Sequence, residues 1–185
     1  MFKRVFIVFG LVIFIAGCDN KTSYKVNINE VHAVLIPQSG TYSRKISTNN
    51  KSAQAFFDQG LRLSWGFYFP ESIASYQEAS RLDPNHPMPY WGMAHAMGPN
   101  PNSRYARMPD DPKGEGLKAI KKALERINKA TTLEAKLIRA LYVFYDKDSI
   151  TDPNERDRAY LKAMRELNKE YPKIKVNKLD STKND

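Results

Sequence analysis

The stretch AFFDQGLRLSWGFYFPESIASYQEASRLDPNHPMPYWGMAHAMGPN, residues 55–100, decides the fold. Shifted by 34 residues, it falls on itself: Phe56 on Tyr90, Phe57 on Trp91, Gly60 on Ala94 and Leu63 on Met97. Self-similarity at this period marks stacked helical hairpins, because a single hairpin cannot bury its apolar face alone. Asp83-Pro84 closes the first unit, since proline cannot continue a helix. Pro70 lies where a second helix starts, and a first turn tolerates it. Gly60, Gly66 and Gly92 mark close packing or helix ends.

The pattern resembles the tetratricopeptide repeat. Phe56 takes the large position of the first helix and Gly60 the small one. Ser72, Tyr76 and Ala79 take the small, aromatic and small positions of the second. Phe57-Asp58-Gln59-Gly60-Leu61, Arg81-Leu82-Asp83-Pro84, Tyr90-Trp91-Gly92 and Gly98-Pro99-Asn100 are similar to one bacterial group of tetratricopeptide proteins. The sequence departs from that group in three ways. Gln59 replaces a leucine, a proline-rich loop at 98–116 replaces a tight turn, and group members run longer.

Downstream, Leu117, Ile120, Leu124 and Ile127 form a helical stripe over about residues 112–128. Thr131 with Glu134 is a capping-box start for a helix that buries Leu133, Leu137, Leu141 and Phe144. Asp152, Pro153 and Glu155 repeat a start signature before the stripe Tyr160, Met164, Leu167 and Tyr171. The expectation is an all-α fold of about six helices in three antiparallel pairs, an α-α superhelix, over residues 53–172. Repeat 1 covers about 53–86, repeat 2 about 87–129 and a third pair about 131–171. Residues 173–185 have little to bury and read as a disordered tail.

Upstream, Lys3 and Arg4 precede an uncharged apolar run from Val5 to Gly17. The run is too short to span a bilayer core, which needs about 20 residues, and suits a secretory signal. It ends Ile15-Ala16-Gly17-Cys18, which resembles the lipobox of bacterial lipoproteins. The resemblance implies cleavage after residue 17 and lipidation of Cys18, the only cysteine. Asp19 resembles the enterobacterial signal for retention in the inner membrane. Residues 18–52 then read as a polar tether facing the periplasm, with residues 31–36 either a strand or a segment packed on the domain.

The net charge is +9, but the lysines are spread along the chain and read as a solvated face. No basic cluster interleaved with aromatics supports nucleic-acid binding. His32, His86 and His95 lack metal-ligand spacing, and no cofactor is expected. The resemblance places Gln54, Phe57, Leu61, Ser64, Trp65, Met88, Trp91 and His95 on the surface lined by first helices. Of these, Phe57, Leu61, Trp65, Trp91 and His95 are the candidate contacts for a protein or peptide partner. Aromatics supply large contact areas at interfaces; the alternative is that they pack against one another or the 98–116 loop. The functional expectation is a membrane-anchored, non-enzymatic interaction module. The competing one is a truncated, inactive member of a longer enzyme-like or metal-dependent family.

Overall fold

The computed structural model describes residues 31–99 and 108–172. The stretch expected to be a signal, Cys18, Asp19, Asn100 and residues 173–185 lie outside the described residues. Among the described residues six α-helices form and no strand: α1 Lys51–Trp65, α2 Phe69–Leu82, α3 Pro87–Met97, α4 Pro112–Glu125, α5 Thr132–Tyr145 and α6 Pro153–Glu170.

Local chemistry sets most of these starts. The Asn50 side chain accepts from the N–H groups of Ser52 and Ala53 at the head of α1. Asp111 accepts from Gly114 in α4, and Asp152 from Asn154 in α6. Thr131 and Glu134 form the expected reciprocal capping box of α5. The helix expected from about residue 112 begins there, so the last five residues of the 98–116 stretch are helical. With its N–H groups capped by Asp111, α4 begins at Pro112 and already contains Gly114 and Gly116.

Neighbouring helices pack in chain order, and α3 also meets α5. The Phe57 ring meets that of Tyr76 at 5.5 Å in a tilted pair, and the Ser72 hydroxyl donates to Gly60 O at 2.7 Å, so α1 and α2 run antiparallel. Phe144 meets Tyr160 and Lys136 pairs with Glu170, so α5 and α6 are antiparallel too. Trp91 Nε1–H donates to Leu137 O at 3.2 Å, and Tyr145 O–H to Ala94 O at 2.6 Å. These two bonds set α3 and α5 parallel.

Two tyrosines fill the gaps between helices. A Cβ at Gly60 would meet the Tyr76 ring at 2.6 Å, and one at Gly92 at 2.4 Å. Only glycine lets α1 and α3 close on this ring, and Ser72, Tyr76 and Ala79 are fully buried beside it. Tyr145 makes the same approach to Gly98 and Gly116. In α6 only Leu167 is fully buried, and Leu161 stands exposed.

Residues 31–50 belong to the stretch read as a polar tether with room for an ordered segment. They form an ordered, non-helical strap against the helices, and α1 begins at Lys51 rather than near residue 53. Of the two alternatives for residues 31–36, packing on the domain is the one observed. Ile46 is 3% exposed and belongs to the same core as Phe57 and Leu61.

Candidate functional site

The strap is gripped by side chains projecting from the helices. On α1, Gln54, Asp58 and Arg62 lie one turn apart and so share a face. Gln54 Oε1 accepts from Ile46 N–H at 2.9 Å, and its amide donates to Arg44 O at 2.9 Å. Asp58 accepts from Arg44 N–H at 2.9 Å and from the Ser43 hydroxyl at 2.7 Å. Arg62 donates to Tyr42 O at 2.8 Å and to the Ser39 hydroxyl at 3.3 Å.

Gln59, the residue standing in place of a leucine, is 1% exposed and fully used. Its Oε1 accepts from Ile36 N–H at 2.7 Å, and its amide donates to Val34 O at 2.9 Å and to Ser75 Oγ at 3.1 Å. On α2, Glu78 accepts from His32 N–H at 3.0 Å while paired with Arg81. Most of these bonds engage backbone N–H and C=O groups. They recognise an extended chain without reading its side chains.

The strap ends in a second cluster. Ser47 donates its N–H to Glu134 Oε1 at 2.8 Å and its hydroxyl to Glu134 Oε2 at 2.7 Å. His86 Nε2 lies 2.9 Å from the Ser47 hydroxyl oxygen. His86 also caps α3, its Nδ1 accepting from Met88 N–H at 3.2 Å. With Nδ1 an acceptor, the neutral ring carries its proton on Nε2 and donates it to Ser47. A histidine in that tautomer cannot take the serine proton. The serine, histidine and glutamate therefore form a latch rather than a nucleophilic triad. Burial pushes the His86 pKa down. For Glu134, burial acts upward, but the hydrogen bonds from Ser47 and Thr131 outweigh it and hold the carboxyl below its ordinary range.

Three of the five candidate contacts are covered, as in the alternative in which the aromatics pack against one another. Phe57, Leu61 and Trp91 are buried, at 0%, 4% and 4% exposure. Trp91 ties α3 to α5 through Leu137. His95 is half-buried and stacks on Trp91 at 5.1 Å, with an interplanar angle of 21°. Burial, with the nearby Arg44 charge second, lowers its pKa to about 4. Its Nδ1 is buried without a partner, as are Arg44 Nη2 and the Tyr76 hydroxyl. Burial likewise lowers the Arg44 pKa. Only Trp65 is exposed, and its ring lies 5.9 Å from that of Tyr42 on the strap.

Other features invite less chemistry. A cleft of about 700 Å³ opens between the ends of α4, α5 and α6, beside Leu117, Phe144, Arg156 and Tyr160. Among the described residues no group of three His, Cys, Asp or Glu is arranged to hold a metal ion, and no helix is long and apolar enough to cross a membrane.

Sequence reasoning missed Ser47, His86, Asp58 and Arg44. One signal pointed to the strap, though not to these residues: an amide at the apolar position of residue 59 demands hydrogen-bond partners once buried, and Val34 and Ile36 supply them. The chain matches no family model, no curated protein and no solved structure.

Proposed function

We propose that the chain is a lipid-anchored interaction module of tetratricopeptide type. Its first-helix face holds an extended peptide, and its own strap is the resident occupant. The observation that carries this reading is the grip on the strap. Gln54, Asp58, Gln59, Arg62 and Glu134 meet main-chain groups of residues 34–47 along one side of the helices. A partner segment in extended form would satisfy the same groups after displacing the strap. The antiparallel order of α1 with α2 and of α5 with α6, and the parallel order of α3 with α5, agree with stacked hairpins of that family. Attachment through Cys18 in the bacterial envelope, on the periplasmic side and at the inner membrane by Asp19, rests on the lipobox resemblance alone.

Crosslinking in the native membrane, with the joined residues mapped by mass, tests the reading. Crosslinks should fall on α1 and the start of α5, and the doubly loosened Ile46→Ala, Ser47→Ala chain should give more of them. Background recovery from both chains, with a folded helical spectrum, ends the proposal. The mass of the mature amino terminus tests the anchor separately.

One observation favours a second reading, in which the chain belongs to a longer repeat family. The last described helix keeps Leu161 exposed and only Leu167 fully buried, as a helix awaiting a further partner would.

A further inference from the structure

Large apolar side chains left exposed are concentrated at one edge of the molecule. Among the described residues, seven of the eight are Val34, Leu35, Ile36, Tyr42, Trp65, Phe67 and Tyr68; the eighth is Leu161. They form one neighbourhood. Gln59 holds Val34 and Ile36 against α1. Arg62 holds Tyr42, whose ring meets Trp65. Phe67 and Tyr68 follow in the turn after α1. Residues 34–42 and 65–68 contain no charged side chain. A concentration of this kind marks a docking surface.

The backbone adds an independent observation. α1 ends with Tyr68 N–H donating to Leu63 O and Phe67 N–H to Ser64 O, the pattern of a Schellman cap. The left-handed position of such a cap is normally glycine. Here it is Phe67, at φ 65°, and 55% exposed. The left-handed conformation disfavours a side chain, and the Phe67 ring, 6.2 Å from that of buried Phe69, still leaves more than half of its surface uncovered.

We propose that this edge rests in the interfacial layer of the lipid bilayer to which the chain is anchored. The proposal rests on the anchored reading above. Three features select lipid as the occupant. The edge begins with Val34–Ile36, next to where the chain arrives from Cys18. The stretch from Cys18 to Val31 spans at most about 45 Å when extended, so an anchored domain stays within reach of the surface. Tryptophan and tyrosine beside uncharged apolar residues also make the composition of an interfacial belt. The acyl anchor would supply attachment, and the edge would set orientation, turning the α5–α6 side toward the aqueous phase.

The test uses the full chain, purified from membranes and reconstituted into phosphatidylcholine–phosphatidylglycerol vesicles with brominated acyl chains. There are two tryptophans, and Trp91 is buried. The difference between the natural chain and Trp65→Phe therefore reports Trp65. Bromine should quench the Trp65 contribution relative to vesicles without bromine, because an interfacial ring lies at the headgroup level beside the acyl chains. Phe67→Ser with Tyr68→Ser should abolish that quenching while Trp91 emission and vesicle flotation stay unchanged. Overturning results are Trp65 unquenched by bromine in floating vesicles, or protected from aqueous acrylamide without lipid in a concentration-dependent way, which would show a second copy on the edge. An unmodified Cys18 by mass would sink the anchor alone. Trp65 quenching by added vesicles would then still support the edge, and its absence would overturn it.

Discussion

Ser47 and Glu134, 87 positions apart, are joined by two hydrogen bonds, from the serine N–H and from its hydroxyl. The same carboxylate accepts from Thr131 N–H and Thr131 Oγ1–H in the α5 capping box. One side chain therefore both starts a helix and fastens the strap. Glu134→Ala should destabilise the fold by about 3 kcal/mol, since hydrogen bonds to a charged acceptor are worth about 1.5–3 kcal/mol each and are partly redundant. Ser47→Ala should cost about half as much. Urea denaturation gives both values, and hydrogen exchange should show the Arg44 and Ile46 amides losing protection in each variant.

Gly92→Ala should be among the most damaging single-methyl additions. Its Cβ would lie 2.4 Å from the Tyr76 ring, which cannot retreat because Gly60 backs its approach to α1. Overpacking of this kind costs about 1–3 kcal/mol. Thermal melting should show a loss at the upper end of that range, and Tyr76→Leu in the same chain should recover part of it.

Phe67→Gly should stabilise the protein. Glycine removes the left-handed strain at φ 65° and suits the cap, a gain of about 1 kcal/mol less the added freedom of the unfolded chain. A rise in urea midpoint with an unchanged slope is the expected result. Lipid contact at the edge should weaken in the same variant, so stability and surface docking should move in opposite directions.

Arg44→Met keeps the apolar stem and removes a buried guanidinium whose Nη2 has no acceptor. The main-chain bonds of residue 44 to Gln54 and Asp58 do not depend on the side chain. Removing an unpaired buried charge should leave stability unchanged or raise it by about 1 kcal/mol. A loss above that size in urea would show that the guanidinium has a role that burial does not reveal.

Acid should weaken the fold before the carboxylates titrate. His95 is held at about 4, and His86 is also lowered, against an ordinary value of about 6.5. The folded chain therefore binds fewer protons than the unfolded chain in this window. Stability is complete above about pH 6.5 and falls as pH drops toward 4. The His95 contribution is up to about 3 kcal/mol, reduced by the partial exposure of its ring. Urea midpoints from pH 7.5 to 4.5 measure it. His95→Gln should flatten the curve, and Arg44→Met should shrink the loss by removing a charge that opposes protonation.

The sequence by itself determined the helices. Caps at Thr131 and Asp152, prolines in first turns and apolar stripes of helical period act over a few residues, so their meaning does not depend on distant packing. The small residues that admit Tyr76 were legible as well, because close approach needs glycine in any helical pair. Only the tertiary structure decided where residues 31–50 lie and which aromatics remain exposed. The strap has no period to read. Its backbone groups are satisfied by side chains as distant as Gln59, Glu78 and Glu134, and its apolar residues are too few to announce burial. Phe57, Leu61 and Trp91 have the composition of a binding face whether covered or open, and exposure belongs to the assembled fold rather than to residue type.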